Sequence, residues 1–384
     1  MHKAKAWNQP CPNSNCEHYQ LINRGNIRAI STYLTASGKR RIFQCQTCGQ
    51  TFSETRDTVF FDLRTPEEKV MLALKMLLVR VGLSDIGFVL GVTEATVLEW
   101  LERAAQQAEK INHHLLRELP VTQVQLDELW NFIERKRSAH DTPQGESVAE
   151  ATDGRQWIWI SYAPQFRLIL ATVVAPRCFE SAVQLIQLTA AIVLGVPCFF
   201  SDGFSGYLPA LLEVYYRLKP FAPTGKRGRP KNPVKEPHPD LVYAQVIKEK
   251  AQGRLKRLTE RVLCGAERLK TLGFTISTSL IERVNLTLRH ALAPLVRKTW
   301  SFCKERVQLR RRVTFFHAFY NFARPHQSLR LPLLAEEVQA PGLFQRKWQP
   351  RTPGMAVGLT EHVWSFRELL TAKFEPIHNQ SISG

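Results

Sequence analysis

The stretch QLDELW, Gln125 to Trp130, poses the problem whose solution decides the fold. The preceding VTQV reads as β-strand and Leu126, Leu129 and Trp130 belong in a core, so the carboxylate of Asp127 sits where burial is expensive. A second acid, Asp202, ends the apolar run PCFFSD, and a third, Glu282, stands near the start of the helical segment SLIERVNLTLRH. From 121 onward the pattern reads as a strand, a polar loop (134–155), two strands joined near Ala163-Pro164, a helix (179–195) and a further strand. If the first and fourth strands of this β-β-β-α-β order are neighbours in a mixed sheet, Asp127 and Asp202 project towards one point. Three buried acids repel one another as well as losing water, and a divalent cation relieves both costs. Hard oxygen donors suit Mg²⁺ or Mn²⁺ rather than Zn²⁺. Taken singly, each acid also fits an ordinary strand-end or helix-start position, Glu282 above all, because a helix N-terminus favours a carboxylate.

The first 60 residues carry a different signal. Cys11 and Cys16 are separated by four residues, and Cys45 and Cys48 by two, which supplies four thiolates for one tetrahedral Zn²⁺, with His18 as an alternative to Cys16. Gly49 follows the second pair, where a tight knuckle needs positive φ. Few apolar residues lie here, so the metal would supply the folding energy. The other cysteines, Cys178, Cys198, Cys264 and Cys303, stand among apolar neighbours and read as buried thiols.

Residues 61–118 read as helices. In LSDIGFVLGVTEATVLEWLERAAQQ, Ser84 is placed to cap one short helix, Gly91 to close it and Thr93 to cap the next. With Ile86, Leu90, Val92, Val97 and Leu101 as the mutual core, Glu94, Ala95 and Thr96 are left to face a DNA major groove, as in a helix-turn-helix. The same pattern also fits a plain three-helix bundle.

The charge balance narrows the partner. Lys and Arg number 52 against 34 Asp and Glu, a net +18, which suits a polyanion. No apolar run is long enough to span a bilayer, and residues 1–16 lack the apolar core of a signal peptide, so the expected location is the cytoplasm, with nucleic acid rather than an acidic membrane surface as the expected partner. A Pro-rich basic segment at 219–240 reads as an exposed insertion. Within it KRGRPK has the form of an AT-hook, in which Arg227 and Arg229 enter a narrow minor groove while Gly228 and Pro230 keep the chain thin and extended.

Taken together, the four-cysteine ribbon, QLDELW, SDGFSGY (201–207) and SLIERVNLTLRHALAPLVRKTWSF (279–302) resemble bacterial insertion-sequence transposases of the DDE class, especially the group named after the first insertion sequence. FYNFARPHQSLR (319–330) is similar to the segment that follows the glutamate in several such families, and RTPGMAVGLTEHVWSFRELL (351–370) to a terminal signature of related transposases. The resemblance implies a zinc ribbon (1–60), a helix-turn-helix domain (61–118), an α/β ribonuclease-H-like catalytic domain (119–330) and a C-terminal tail (331–384). It implies Asp127, Asp202 and Glu282 as ligands of two Mg²⁺ or Mn²⁺ ions, and Arg289 as their basic partner. Seven residues on a helix turn through about 700°, which returns Arg289 to the Glu282 face. Asn285 shares that face, and Arg297 and Lys298 are further candidates for DNA phosphates, whereas His326 reads as structural. The implied activity is cleavage of element ends and their transfer into target DNA in a bacterial nucleoid, by a dimer or larger assembly. The 79 residues between Asp202 and Glu282 exceed the compact family spacing, which leaves Glu260 and Glu267 as rivals to Glu282, although neither lies in an E-R-x-N helix. A nuclease that cleaves without joining, and a DNA-binding regulator that has lost catalysis, share most of these features.

Overall fold

Hairpin chemistry organises the N-terminal residues of the computed structural model, which describes residues 7, 9–133, 155–219, 221, 232–252, 254–297, 299–333 and 347–376. β1 (Ile27–Thr35) turns at Gly38 into antiparallel β2 (Gly38–Cys45), and β2 pairs with β3 (Thr51–Ser53). Ile27, Phe43 and Phe52 bury against Cys11, Cys16 and Cys45, a core too small to hold the module by apolar contact alone. Three helices follow: α1 (Glu67–Leu77), α2 (Leu83–Leu90) and α3 (Glu94–Leu115). Gly91 closes α2 in the left-handed conformation (φ +60°), and Thr93 Oγ1 accepts the Thr96 N–H at 3.2 Å to cap α3. Ser84 does not cap α2: it lies inside the helix, and Gly82 holds the N-cap position with no side-chain bond. Ile86, Val97 and Leu101 are fully buried as expected, while Leu90 and Val92 are only half-buried.

These elements belong to one of two compact units, comprising residues 1–115, 314–319 and 364–384; the second comprises 116–313 and 320–363. The second unit is built on a six-stranded mixed sheet. β4 (Gln123–Phe132), β5 (Arg155–Ala163) and β6 (Leu168–Ala175) form an antiparallel meander, and α4 (Phe179–Ala190) crosses to β7 (Cys198–Ser201), which lies parallel beside β4. α5 (Tyr207–Val214) follows, then a two-stranded ribbon of β8 (Tyr216–Lys219) and β9 (Val234–Pro237). The segment read as an exposed loop at 219–240 is therefore pinned at both ends by strand pairing. β10 (Val242–Ala251) runs parallel to β7 and turns into antiparallel β11 (Arg254–Cys264), giving the order β11-β10-β7-β4-β5-β6. The first and fourth strands are neighbours, as the placement of the two aspartates requires.

α6 (Ala266–Leu272) leads to α7 (Ser279–Ala291), which ends before a 3₁₀ turn at Ala293–Leu295 because Pro294 cannot continue an α-helix. α8 (Arg306–Ala318) runs into a π-helical turn at Phe319–Ala323. There the buried Asn321 amide both accepts from the Ile169 N–H (3.1 Å) and donates to its C=O (2.8 Å), sealing the outer edge of β6. β12 (Leu331–Pro332), β13 (Trp348–Gln349), α9 (Pro353–Ala356) and α10 (Phe366–Thr371) complete the chain. A Ser365–Glu368 capping box starts α10. In the first unit Val59 N–H donates to Leu370 O (3.2 Å) and Gln107 Nε2 to Ala372 O (2.6 Å), so the C-terminal segment packs on the N-terminal module.

Candidate active site

β4 places acids on both of its faces. Gln125 and Asp127, two residues apart, share the face on which α7 docks: Gln125 Oε1 accepts the Ile281 N–H at 2.9 Å, and Asp127 Oδ2 accepts Asn285 Nδ2 at 2.7 Å. Glu128 points the other way, where Tyr207 donates to its Oε2 at 2.9 Å and Arg177 to its Oε1 at 2.9 and 2.5 Å. Asp202 stands one residue past the end of β7, with Oδ1 accepting the Phe204 N–H at 3.1 Å. Because β4 and β7 are adjacent and parallel, carboxylate oxygens of Asp127, Glu128 and Asp202 all come within 4.8 Å of one another.

The electrostatics are those of crowded anions. Burial pushes Asp127 up to about 8, and the charges of Asp202, Glu128 and Glu282 add to it. Burial also raises Glu128, followed by repulsion from Asp202, although Arg177 pulls the other way. Burial holds Tyr207 well above its ordinary value, so the phenol stays a neutral donor. Three hard oxygen donors in one small volume make a group that could hold a divalent cation, which would have to displace the proton that burial favours on Asp127.

Glu282 lies outside that tight group. Its carboxylate pairs with Lys248 from β10 and accepts Thr278 Oγ1 at 2.8 Å. It is nevertheless close enough to act on Asp127, and the docking of Ile281 and Asn285 on β4 fixes the helix that carries it. Arg289, half-buried two turns further along α7, is shifted down by burial and by Arg297, while Asp127 acts in the opposite sense. Asp127, Glu282, Asn285, Arg289 and Arg297 thus share one electrostatic neighbourhood. Glu260 lies on β11 and Glu267 on α6, not on the helix docked against β4.

Sequence reasoning missed Glu128, Arg177, Tyr207 and Lys248. Glu128 stands beside Asp127 in QLDELW, but nothing in the local sequence marks it as a site residue, since strand alternation turns adjacent side chains to opposite faces. Arg177 had no local signal, since its guanidinium finds the site through rings far apart in sequence, 4.9 Å from the centre of Trp157 and 4.5 Å from that of Phe204.

The four cysteines of the N-terminal module form a second cluster. All are free thiols, and their sulfurs lie within 4.8 Å of one another, with Cys11–Cys48 at 3.6 Å and Cys16–Cys45 at 3.9 Å. A tetrahedron with Zn–S bonds of 2.3 Å has an edge of roughly 3.8 Å, so the donor set fits zinc. Burial works to raise Cys45, but the Cys48 and Thr47 N–H groups and the Asn26 amide prevail and hold it at about 6. Hydrogen bonds led by Asn13 lower Cys48, whereas burial raises Cys11 and Cys16. Gly49 adopts φ +73°, as the knuckle requires. His18 is not part of the cluster.

Of the residues expected to meet DNA, Glu94 and Ala95 are exposed at the start of α3, while Thr96 is half-buried and bonded to Thr93. Arg297 is exposed, whereas Lys298 and Arg227, Gly228, Arg229 and Pro230 lie outside the described residues. No described helix is long and apolar enough to cross a membrane.

No family model and no curated protein matches the sequence. Among solved structures the chain is similar to the Mos1 strand transfer complex, with 15% identity and a TM-score of 0.15 over 36% of this chain and 52% of that one. It is likewise similar to the Mos1 transposase paired-end complex with left transposon end, at 14% identity and TM-score 0.14 over 38% and 56% of the two chains. A third neighbour is the Mos1 mariner paired-end complex with Mn, at 12% identity and TM-score 0.15 over 35% and 52%. The chain spans about half the length of these neighbours, a likeness too slight to add to the geometry described above.

Proposed function

We propose that this chain is a DDE-type DNA transposase of a bacterial insertion sequence, acting on double-stranded DNA through a ribonuclease-H-like domain. The observation that carries the reading is the meeting of Asp127 and Asp202 from adjacent parallel strands, in a chain of net charge +18, with the helix bearing Glu282 docked against the same strand. The sheet order, a three-strand meander followed by two parallel strands on its far side, supports the ribonuclease-H-like assignment.

In this reading Asp127, Asp202 and Glu282 hold two Mg²⁺ or Mn²⁺ ions, and the cysteine cluster holds one Zn²⁺. Bound divalent ions would activate water or a 3′-hydroxyl and stabilise the leaving oxygen of an in-line phosphoryl transfer. The protein's own groups do the rest. Asn285 orients the Asp127 carboxylate by donating to Oδ2, while Oδ1 accepts the Glu128 N–H. Glu128 is a positioning group, because its charge is already paired with the Arg177 guanidinium and its second oxygen accepts the Tyr207 hydroxyl. Lys248 holds Glu282 near the site, and Arg289 presents a cation on the same helix for a DNA phosphate. The α3 N-terminus, Arg297, Lys298 and the KRGRPK segment would grip DNA, and processing two ends together would require at least a dimer.

The test is an assay of purified protein on duplex DNA that carries the sequences bounding its reading frame. Expected are Mg²⁺- or Mn²⁺-dependent nicks at those boundaries and joined products, both abolished by Asp127→Asn. Nicks without joined products would point to a nuclease; intact DNA with undiminished binding would point to a regulator.

A further inference from the structure

Three arginines from distant parts of the chain surround one cavity of about 590 Å³ in the second unit. Arg167 comes from the β5–β6 turn, Arg283 from α7 and Arg324 from the RPHQSL segment, and Tyr162, Thr287 and His326 are among the other polar residues of the wall. Among the described residues, no Asp or Glu lines the cavity. Guanidinium groups gathered without a carboxylate repel one another, and an anion reverses the sign of that interaction.

Two further features point to a ligand. Arg167 holds a left-handed backbone (φ +55°), a conformation that costs a non-glycine residue, and its Nη1 is sealed from solvent with no hydrogen-bond partner. His326 Nδ1 accepts the Ser328 N–H at 3.3 Å, which places the ring proton on Nε2 as a donor. Burial, followed by the charges of Arg167, Arg324 and Arg283, lowers the pKa of this ring, so the wall is cationic through its arginines with the imidazole neutral. The volume is that of a small-molecule pocket, enough for a phosphate with its sugar.

Position separates this cavity from the acids. Leu280, Arg283, Val284 and Thr287 line it at helical spacing, whereas Glu282, Asn285 and Arg289 lie on the other side of α7. A phosphate held here is about one helix diameter, roughly 10 Å, from the cleavage centre.

We propose that Arg167, Arg283 and Arg324 form a phosphate-binding pocket that seats a backbone phosphate of bound DNA other than the one being cut, a proposal that rests on the DNA-transposase reading above. The experiment uses the full-length chain without added Mg²⁺ or Mn²⁺, so that binding is read apart from cleavage. Fluorescence anisotropy with a labelled duplex compares wild type, Arg167→Gln, Arg324→Gln and Arg324→Lys. Each glutamine variant is expected to weaken binding about tenfold and to lower the slope of log K against log salt by about one, while Arg324→Lys retains the slope. Unchanged affinity and slope in both glutamine variants overturn the proposal.

Melting curves in millimolar inorganic phosphate, at fixed ionic strength, supply the second arm and check that the variants fold. Stabilisation of the wild type that Arg324→Gln removes, joined to its weaker DNA binding, supports the pocket. The same stabilisation with DNA affinity untouched assigns the pocket to a free phosphate compound and overturns the DNA assignment. A wild type that binds no DNA sinks the transposase reading; the phosphate melts then decide the anion site by themselves, a phosphate-dependent shift upholding it and none overturning it.

Discussion

Asn285 donates its side-chain N–H to Asp127 at 2.7 Å, and this bond joins the helix that carries Glu282 to the strand that carries the first aspartate. It orients the carboxylate and, with the Ile281–Gln125 bond, docks α7 on β4. Asn285→Ala should therefore lower cleavage by about one to two orders of magnitude, the scale typical of lost ligand-orienting partners. DNA binding should stay near wild type. Asn285→Asp should do worse, because it adds another anion to an already crowded site. Cleavage rates beside anisotropy on the same preparations check both statements; equal losses of binding and cleavage would mean that the residue serves only the fold.

Glu128 and Glu282 make opposite predictions. Glu128 lies in the tight group with the aspartates, but its charge is already paired with Arg177 and its second oxygen accepts the Tyr207 hydroxyl. Glu282 lies outside the group, yet its partner Lys248 is partly exposed and can yield to a stronger cation. Glu282→Gln should abolish cleavage with little change in melting temperature. Glu128→Gln should keep measurable activity. Arg177→Ala should destabilise the fold by on the order of 3 kcal/mol, reduced somewhat by its partial exposure, because it strands a buried carboxylate. Denaturant melts and cleavage assays on the three variants separate ligand from positioning group. Loss of all activity in Glu128→Gln with Glu282→Gln active would reverse the assignment.

The raised Asp127 pKa has a definite sign. An unfolded aspartate titrates near 3.9, whereas the folded one titrates at about 8, so between these values the native state holds a proton that the unfolded chain has released. This contribution to stability is fully present below about pH 4 and is lost as pH rises through about 8. Without divalent ions the melting temperature should carry a component that declines over this window, and Asp127→Asn should remove it. Mg²⁺ or Mn²⁺ must displace the same proton, so apparent metal affinity should increase up to about pH 8. Melting curves at several pH values, with and without metal, read both effects.

Much of this site was legible because strands advertise themselves. The apolar runs around Asp127 and Asp202 and the helix between them fixed the crossover, and with it the adjacency of β4 and β7. The period of SLIERVNLTLRH put Asn285 and Arg289 on the Glu282 side, where both act on Asp127. Other features were beyond local pattern. Arg177 reaches Glu128 only because the sheet brings Trp157 and Phe204 around its guanidinium. The β8–β9 ribbon escaped notice because its strands have only four residues each and carry mostly charged or exposed side chains. Asn321 gave no hint in FYNFARPH that it closes the edge of β6, since the backbone groups it satisfies lie 152 residues away. Ser84 misled for a simpler reason: a serine near a helix start resembles a cap, but the chain begins α2 at Leu83.

The cysteine cluster makes the last prediction. Among the described residues, the cluster around the thiols adds only Ile27, Phe43 and Phe52 as buried apolar side chains, so the ion should carry most of the folding free energy of that segment. Purified protein should contain about one zinc per chain. A strong chelator should unfold the module selectively, exposing the β1–β3 amides to hydrogen exchange while β4, β5 and β7 keep their protection. Cys45→Ser should reproduce this effect, because Cys45 is the thiol most firmly held as thiolate, with Asn26 donating to its sulfur at 3.2 Å. Hydrogen exchange with mass-spectrometric readout, before and after chelation, distinguishes local unfolding from global loss. If β1–β3 stayed protected after complete zinc removal, the four thiols would be packing groups and the ribbon would not depend on metal.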